Sequence, residues 1–412
     1  MNLLVSAFAC RPGRGSEPGV GWNYVKQIAS FCDTVTVLTS IRNREVIEAE
    51  LVKHPLINVD FEFITAPRVL PSESQKTHLR LLYYYAWQIN AYRIAKRILD
   101  TRSFDLAHHV TIANDWLPTY LSLLSTPLIW GPVGGSNSMI PSRFFASIGF
   151  RGTLKEIVRE STIRAFRTLD PMYRHTLKKA SRILSSNHDT FAAVPKKYQS
   201  KTIVHSQVGT HSFPADTTSR DPSNVHIVYG GLFQYLKGIT YAVRSFISFN
   251  ERVPNARLTL IGQGPEKARI EALVASSPHP ERIQILSWIP QEQFHGELRK
   301  ADVLLFPSFH DSGGLVVVEA MAMGIPVICL DRAGPAFLVS DTTGIKVPIH
   351  SPAQVHRDLT HALYRLCTDC PLRKRMGEAA RERVQKNFLW ERKADQLTKL
   401  YQSVLQNTKR PT

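Results

Sequence analysis

Two carboxylates lie close together in the second half of the chain, on either side of a pair of glycines. Residues 301–331 read ADVLLFPSFHDSGGLVVVEAMAMGIPVICLD, with Asp311 and Glu319 eight positions apart. The pattern predicts a buried strand that ends at residue 307, a polar loop, and a helix that begins near residue 315 and stops at a glycine. A carboxylate, a hydroxyl, two glycines and the first helical residue follow the strand: Asp311, Ser312, Gly313, Gly314 and Leu315.

These residue types suit a phosphorylated sugar as the ligand. Adjacent glycines let a ligand approach the backbone closely, and the N–H groups at a helix start can donate to anionic or hydroxyl oxygens. Asp311 and Glu319 can address different parts of one ligand, because carboxylates accept hydrogen bonds from the paired hydroxyls of sugars. For any one residue an alternative stays open, in which Glu319 only pairs locally and the glycines only turn the chain.

The segment resembles the signature of family-four glycosyltransferases of the GT-B fold (glycosyltransferase group 1). That signature is a Glu, seven residues, and a second Glu on a helix, followed by an Ala-Met-Ala-x-Gly-x-Pro-Val run. Glu319 and the run AMAMGIPV match its second half, whereas Asp311 replaces the first Glu and Gly313 stands where the family often has Phe. The resemblance implies that Glu319 holds the donor ribose. It also implies that Asp311 and the amides of residues 313–315 hold the transferred sugar.

Three further motifs resemble this family in the expected order. Residues 228–232 read VYGGL and precede Lys237, which resembles the strand and loop that bind the donor diphosphate. The family commonly has Arg where Gly231 stands, so Lys237 is expected to be the only basic side chain of the usual pair. The GQG run at 262–264 resembles a structural turn. The SWIP run at 287–290 resembles the segment beside the nucleotide base, which implies main-chain contacts at Ile289.

The first half of the chain carries two weaker signals. Residues 11–22 read RPGRGSEPGVGW and lack the Gly-Lys-Ser/Thr ending of a P-loop. They resemble the family's flexible loop that closes over the donor diphosphate, here with Gly15 and Gly19, although a long structural turn is the alternative. His108 and His109 resemble the place where the family puts a His near the reacting sugar. Adjacent strand residues point to opposite faces, so only one of them can reach the ligand, and we favour His109.

The spacing of apolar runs predicts the elements that must position these residues. Strands alternate with amphipathic helices in two series, which indicates two parallel sheets covered on both faces. We therefore expect an α/β protein with two Rossmann-like doubly wound domains facing each other across a cleft, and the family resemblance implies that this is the GT-B fold. The expected domains are an acceptor-binding one at 1–208, a donor-binding one at 209–387, and a C-terminal helix at 388–412 that packs back on the first. Residues 209–224 are the expected linker.

Charge and composition limit the function classes. The chain has 412 residues and a net charge of +17, with twelve basic and four acidic residues between 151 and 201. We expect this segment to meet an anionic membrane surface, with a merely solvated basic surface as the alternative. No nucleic-acid-reading module accompanies the charge. Basic side chains alternate with apolar ones from residue 150 onward: Arg151, Lys155, Arg159, Arg164, Arg167, Arg174, Lys178, Lys179 and Arg182 with Phe150, Leu154, Ile157, Val158, Ile163, Phe166 and Leu177.

The remaining composition predicts a reduced cytoplasmic protein, peripheral on the inner face of the plasma membrane. Its five cysteines are scattered and no apolar run is long enough to cross a bilayer. No Asp-x-Asp occurs, so we expect neither a metal clamp nor a cofactor. Instead, Lys237, the helix start and the 13–21 loop would stabilise the leaving diphosphate.

The family resemblance implies a retaining hexosyltransferase that moves a sugar from a nucleotide-diphosphate sugar to a glycan or lipid-linked acceptor. Cell-surface polysaccharide synthesis is the expected context. Two alternatives stay open. One is another GT-B enzyme, such as an epimerase or an inverting transferase, and the other is a non-catalytic sugar-nucleotide-binding subunit.

Overall fold

The computed structural model describes residues 1–66, 77–112, 114–135, 139–213 and 224–409. They form two compact units. The first comprises Met1–Ser136, Thr162–Gln207 and Trp390–Thr412, and the second comprises Asn137–Ser161 and Val208–Leu389. Residues 137–161 thus belong to the second unit although they precede residue 208. Most of the expected linker lies outside the described residues.

The first unit is built on a sheet of seven strands in the order β3-β2-β1-β4-β5-β6-β7, in which neighbouring strands are parallel. Its strands are β1 Asn2–Ser6, β2 Thr34–Ser40, β3 Val59–Ile64, β4 Leu106–His109, β5 Leu128–Val133, β6 Ala180–Ser185 and β7 Thr202–Val204. Its helices are α1 Ser16–Ala29, α2 Arg44–Lys53 and α3 Thr77–Leu99, then α5 Pro171–Lys179, α6 His188–Ala193, α7 Lys196–Gln199 and α15 Trp390–Lys409. Helix α4, Phe145–Leu169, runs from the second unit into the first.

The second unit repeats this plan with six strands in the order β10-β9-β8-β11-β12-β13, again parallel. The strands are β8 His226–Gly230, β9 Arg257–Ile261, β10 Ile283–Leu286, β11 Val303–Phe306, β12 Val327–Leu330 and β13 Gly344–Val347. The helices are α8 Ile239–Asn250, α9 Lys267–Ala275, α10 Gln291–Arg299, α11 Leu315–Ala322, α12 Ala333–Leu338, α13 Pro352–Thr368 and α14 Cys370–Asn387.

Burial explains why short apolar runs become the central strands. Every residue of β8, β11 and β12 is buried, as expected for strands of a parallel sheet with helices on both faces. The helices covering them present apolar stripes, and α8 buries Val243, Phe246 and Phe249 in the second unit's core. The α/β class with two Rossmann-like sheets is therefore confirmed.

One element departs from the sequence prediction. Helix α1 begins at Ser16, inside the stretch 11–22 that was expected to be a loop, so only residues 11–15 of that stretch lie outside the helix. Glu17 suits the positive end of the helix dipole, and Pro18 is tolerated in the first turn because its missing N–H would have no partner there. The sequence did not predict this helix start because the stretch is rich in glycine, which has a low helix propensity.

Within the described parts of the chain, no helix is long and apolar enough to cross a membrane.

Candidate functional site

The order of strands in the second unit defines where a ligand should bind. Strand β8 is followed in the sheet by β9 on one side and by β11 on the other, so the direction of winding reverses between β8 and β11. Open parallel sheets bind ligands at the carboxyl ends of the two strands that flank such a reversal. Here those ends lead into the loop 231–238 after β8 and the loop 307–314 after β11.

Backbone contacts join these two loops closely. The carbonyl of Leu236 accepts hydrogen bonds from the N–H groups of Phe309 at 2.8 Å and His310 at 3.2 Å. Gly238 has a φ of +66°, and a Cβ added there would collide with the carbonyl of Pro307. Only glycine therefore permits both the left-handed conformation and the close approach of the loops.

An ion pair connects the same two loops through side chains. The Lys237 Nζ lies 2.8 Å from Asp311 Oδ2 and donates to the His310 carbonyl, also at 2.8 Å. Both side chains of the pair are 20% exposed. Because an ammonium has three N–H donors and two are used here, the third can still meet an anionic ligand.

Asp311 also organises the start of helix α11. Its Oδ1 accepts from the N–H groups of Gly313 at 3.2 Å and Gly314 at 2.6 Å. Burial would raise the pKa of Asp311, but the nearby Lys237 ammonium and the two amides lower it below the ordinary value. The carboxylate is thus held ionised and stabilises the loop. In this state the amides of residues 313 and 314 are already satisfied.

Glu319 occupies a second polar position on α11, one turn and a half along the helix. It is only 6% exposed. Its Oε1 lies 3.1 Å from His295 Nε2 and accepts from Gln291 Nε2 at 3.4 Å. Both of these contacts use one carboxylate oxygen, so Oε2 can accept from a ligand hydroxyl.

His295 and Gln291 are site residues that sequence reasoning missed. They stand four residues apart on α10, immediately after the SWIP run, and so share one face of that helix. Phe213 packs edge-on against His295, with ring centroids 5.1 Å apart. The four-residue spacing beside a motif already assigned to the nucleotide base was the signal that could have identified them.

The other residues expected in the second unit lie in the segments that follow β8, β10 and β11 and at the start of α11. Gly231 begins the loop after β8, and its N–H donates to the carbonyl of Ile261 at 3.0 Å. A Cβ added at Gly262 would collide with the Gly231 carbonyl, so Gly262 permits close loop packing.

Ile289 is half-buried in the segment after β10, next to Trp288, which is 61% exposed. Ser312 is half-buried between Asp311 and the glycines, and Leu315 is the first residue of α11.

The histidines of the first unit are enclosed in its interior. His109 is 1% exposed at the end of β4, and its Nε2 lies 3.2 Å from the Tyr84 hydroxyl. The neighbouring His108 contacts the Tyr401 hydroxyl at 2.5 Å and the Gly131 carbonyl at 2.6 Å. Burial lowers the pKa of His108 to about 4 and that of His109 to about 3. Both rings are therefore neutral near pH 7, and a ligand contact at His109 would require the side chain to become accessible.

Gly15 and Gly19 have different surroundings. Gly15 is exposed and immediately precedes α1, whereas Gly19 is buried inside that helix. A Cβ added at Gly19 would collide with the Arg14 carbonyl, so this glycine permits the 11–15 loop to fold onto the helix. Among the residues that the structure describes, no group of three or more His, Cys, Asp or Glu side chains could hold a metal ion.

Comparisons with known proteins converge on the same half of the chain. Residues 212–383 match the family model of glycosyl transferases group 1. This segment includes Lys237, Asp311, Glu319 and His295. A D-inositol 3-phosphate glycosyltransferase of Corynebacterium jeikeium is 31% identical over 186 residues, 43% of this chain and 43% of the relative. These matches support the glycosyltransferase superfamily for the second unit.

The similarity to solved structures extends over both units. A sucrose-phosphate synthase from Thermosynechococcus elongatus has a TM-score of 0.66 and 19% identity, covering 98% of this chain and 99% of that one. The Anabaena HepE protein, solved with UDP-glucose, has a TM-score of 0.62 and 14% identity over 98% of this chain and all of that one (100%). At these identities the likeness concerns the fold. The curated sequence relatives are matched over less than half of their length.

Proposed function

We propose that the protein is a glycosyltransferase that uses a nucleotide-diphosphate sugar as donor. The observation that carries this proposal is the pairing of Lys237 with Asp311 beside Glu319 at the strand reversal of the second unit. These side chains lie within the segment that matches glycosyl transferases group 1. A cation with a spare donor and a carboxylate with a spare acceptor are the groups that a diphosphate and a ribose require.

In this proposal each side chain has a separate role. Lys237 and the first N–H groups of α11 bind the diphosphate, and Glu319 accepts from the ribose hydroxyls through Oε2. Asp311 and the backbone near Gly313 contact the transferred sugar, while Gly231 and Ile289 offer main-chain contacts to the donor. Gly15 and Gly19 contribute to diphosphate binding and His109 acts near the reacting sugar, both as the family resemblance implies.

We infer a retaining, metal-independent reaction. Lys237 and the helix dipole of α11 would neutralise the charge that develops on the departing diphosphate. The departing phosphate then accepts the acceptor's proton on the same face of the sugar. A hexose is the transferred group that we propose, and a glycan or lipid-linked molecule of the cell surface is the acceptor.

An exposed helix face suggests where such an acceptor is met. Four apolar residues of α4 share one stripe and are exposed: Phe150 (83%), Leu154 (49%), Ile157 (44%) and Val158 (56%). Arg151 and Lys155 are exposed on the same stretch. An amphipathic helix with basic residues binds in the headgroup plane of anionic lipid, so we propose that this face docks on the cytoplasmic surface of a membrane.

The structure corrects which residues of the basic segment can take part. Ile163 and Leu177 are buried, and Phe166 is half-buried. Arg159 pairs with Glu156, and Arg167 pairs with Asp115. These side chains are occupied inside the protein, so the lipid-facing set that we expected from the sequence was too long.

Liposome sedimentation tests the docking face. The variant Arg151→Glu/Lys155→Glu should lose binding to vesicles containing phosphatidylglycerol, and added salt should weaken binding of the parent protein. A matched control is Lys374→Glu/Arg375→Glu, which makes the same charge change on exposed residues of α14. Equal binding of the parent to phosphatidylcholine vesicles, or equal loss in both variants, would contradict a specific surface.

Thermal unfolding with UDP-, GDP- and ADP-sugars tests the enzymatic proposal. A donor at 100 times its Kd should stabilise the protein by about 2.7 kcal/mol, and EDTA should not change this. Glu319→Gln should weaken binding of the same donor by about 1.5–3 kcal/mol, the typical contribution of a charge-assisted hydrogen bond. Conversion of donor alone into an isomer would identify an epimerase instead. If none of the three donors stabilises the protein, the proposal fails.

A further inference from the structure

We propose that the segment 139–161, which precedes the matched family segment, positions the donor loop through Glu156 and His310. This inference rests on the proposed function, because it concerns the loop that carries Asp311. The segment belongs to the second unit by its own contacts, although residue 161 is separated from residue 208 by part of the first unit. We call residues 139–161 the brace.

The apolar part of the brace enters the core of the second unit. Ile140 and Phe144 are fully buried in that core. The ring of Phe144 meets the ring of Phe309 edge-on, with centroids 5.2 Å apart. The hydroxyl of Tyr241 on α8 donates to Ser147 Oγ at 3.2 Å. The Phe144–Phe309 contact attaches the brace to the loop 307–314 one residue before His310, and the Tyr241–Ser147 bond attaches it to α8.

The polar part of the brace meets the next residue of the same loop. Glu156 has a fully buried side chain, and its Oε1 lies 3.1 Å from His310 Nε2. Arg159 donates to both carboxylate oxygens of Glu156, at 3.0 and 3.2 Å, and the Ile140 N–H donates to Oε1 at 3.1 Å. A buried carboxylate is costly unless its oxygens are satisfied, and these partners satisfy them.

The electrostatics agree with this geometry. Burial alone would raise the pKa of Glu156, but His310 and Arg159 lower it to about 2. Burial lowers the pKa of His310, so near pH 7 its ring is mainly neutral, and its Nε2 lies 3.1 Å from Glu156 Oε1 without the alignment of a hydrogen bond. The buried Glu156 carboxylate and the His310 ring are thus in direct contact.

Fixing His310 affects the proposed donor site directly. Its carbonyl accepts from Lys237 Nζ, and Asp311 is the next residue along the chain. A displacement of His310 would move an acceptor of Lys237 and the backbone of Asp311 together. Glu156 and His310 are thus positioning residues, and neither needs to contact the donor.

Two readouts test the brace. Glu156→Gln keeps an acceptor for the Ile140 N–H but removes the charge, and His310→Gln keeps a donor of different shape. Each should weaken binding of UDP, measured by calorimetry, by about tenfold, and the double variant should lose little more because the two act through one contact. Amide hydrogen exchange of residues 307–314 should accelerate in both single variants. Glu382→Gln, on the surface of α14 and paired with Lys386, makes the same change away from this contact; it is the control and should leave both readouts unchanged.

The outcomes distinguish failure of the proposed function from failure of the brace. If the parent protein binds none of UDP, GDP and ADP, the proposed function fails, while faster exchange at 307–314 in the variants would still support the brace. If Glu156→Gln and His310→Gln bind UDP within twofold of the parent and exchange at its rate, the brace is overturned. Additive losses of affinity in the double variant would also contradict a shared contact.

Discussion

The two strand reversals of the molecule have the same topology, but different polar contacts join their loops. In the second unit, the loops after β8 and β11 are joined by the charged pair of Lys237 and Asp311, which is partly exposed. In the first unit, the loops after β1 and β4 are joined by the N–H of Ala9 donating to Thr111 Oγ1 at 3.0 Å. There, the neighbouring His109 is buried and neutral near pH 7. The second reversal carries an ion pair between its loops, whereas at the first Thr111 Oγ1 and Glu17 Oε1 accept from backbone N–H groups.

The interior of the first unit also contains a buried lysine. Lys393 on α15 is 1% exposed, and it donates to the carbonyl of Ser206 and lies 3.4 Å from His205 Nε2. Burial lowers its pKa to about 7. Burial thus shifts the pKa values of His109 and Lys393 toward their neutral forms, whereas the buried Asp115 in the same unit is paired with Arg167. The same Rossmann-like plan can therefore carry different polar sites, depending on the residues after its strands.

The largest expected effect comes from removing the Lys237 ammonium, which lies at the strand reversal of the second unit. Lys237→Met should weaken nucleotide-diphosphate binding by about 1.5–3 kcal/mol, because a charge-assisted bond is lost and Asp311 is left unpaired. Calorimetry with the best-stabilising nucleotide measures this loss. Lys386→Met is the control, since Lys386 is exposed on the surface of α14 and pairs with Glu382 at 2.5 Å. Equal losses in both variants would mean that overall charge, and not this site, binds the nucleotide.

A smaller effect is expected from the neutral histidine of the first reversal. The pKa of His109 is about 3 in the folded protein and about 6.5 in an unfolded chain. The unfolded state therefore binds more protons between these values, so His109 makes stability fall as the pH drops below 6.5. Relative to pH 7.5, its contribution at pH 5 is a loss of about 2 kcal/mol.

Denaturant unfolding at both pH values measures this contribution. In His109→Gln, the loss of stability between pH 7.5 and pH 5 should be smaller than in the parent protein by about 2 kcal/mol. The exposed His54 on the same unit provides His54→Gln as the control, which should leave the pH dependence unchanged. If the free energy of unfolding of His109→Gln depended on pH as it does in the parent protein, the buried imidazole of His109 would be accessible to protons in the folded state.

The smallest effect concerns Lys393. With a folded pKa of about 7 and an unfolded pKa near 10.4, the unfolded state binds more protons above pH 7. Stability of the parent protein should therefore rise by about 1 kcal/mol between pH 7 and pH 8, and Lys393→Met should lack this rise. Denaturant midpoints at the two pH values measure it. A rise of the same size in Lys393→Met would assign the effect to other groups.

Sequence reasoning succeeded for elements with strong local patterns. Strand β11 was predicted because it is a short apolar run followed by a polar loop with two glycines. The glycine-rich start of α1 was misjudged, since helix propensity gave no sign that packing against Arg14 would favour glycine there. Tertiary contacts routinely override such local preferences.

The sequence by itself determined that two parallel sheets form and that Lys237, Asp311 and Glu319 follow the strands of one of them. Local spacing suffices for this, because periodicity defines each element and strand ends define where loops meet. Only the tertiary structure decided that His295 and Gln291 contact Glu319, and that Glu156 contacts His310 across 154 positions of sequence. Contacts between residues so far apart depend on how packed elements bring side chains together, and no local pattern of residue types encodes that distance.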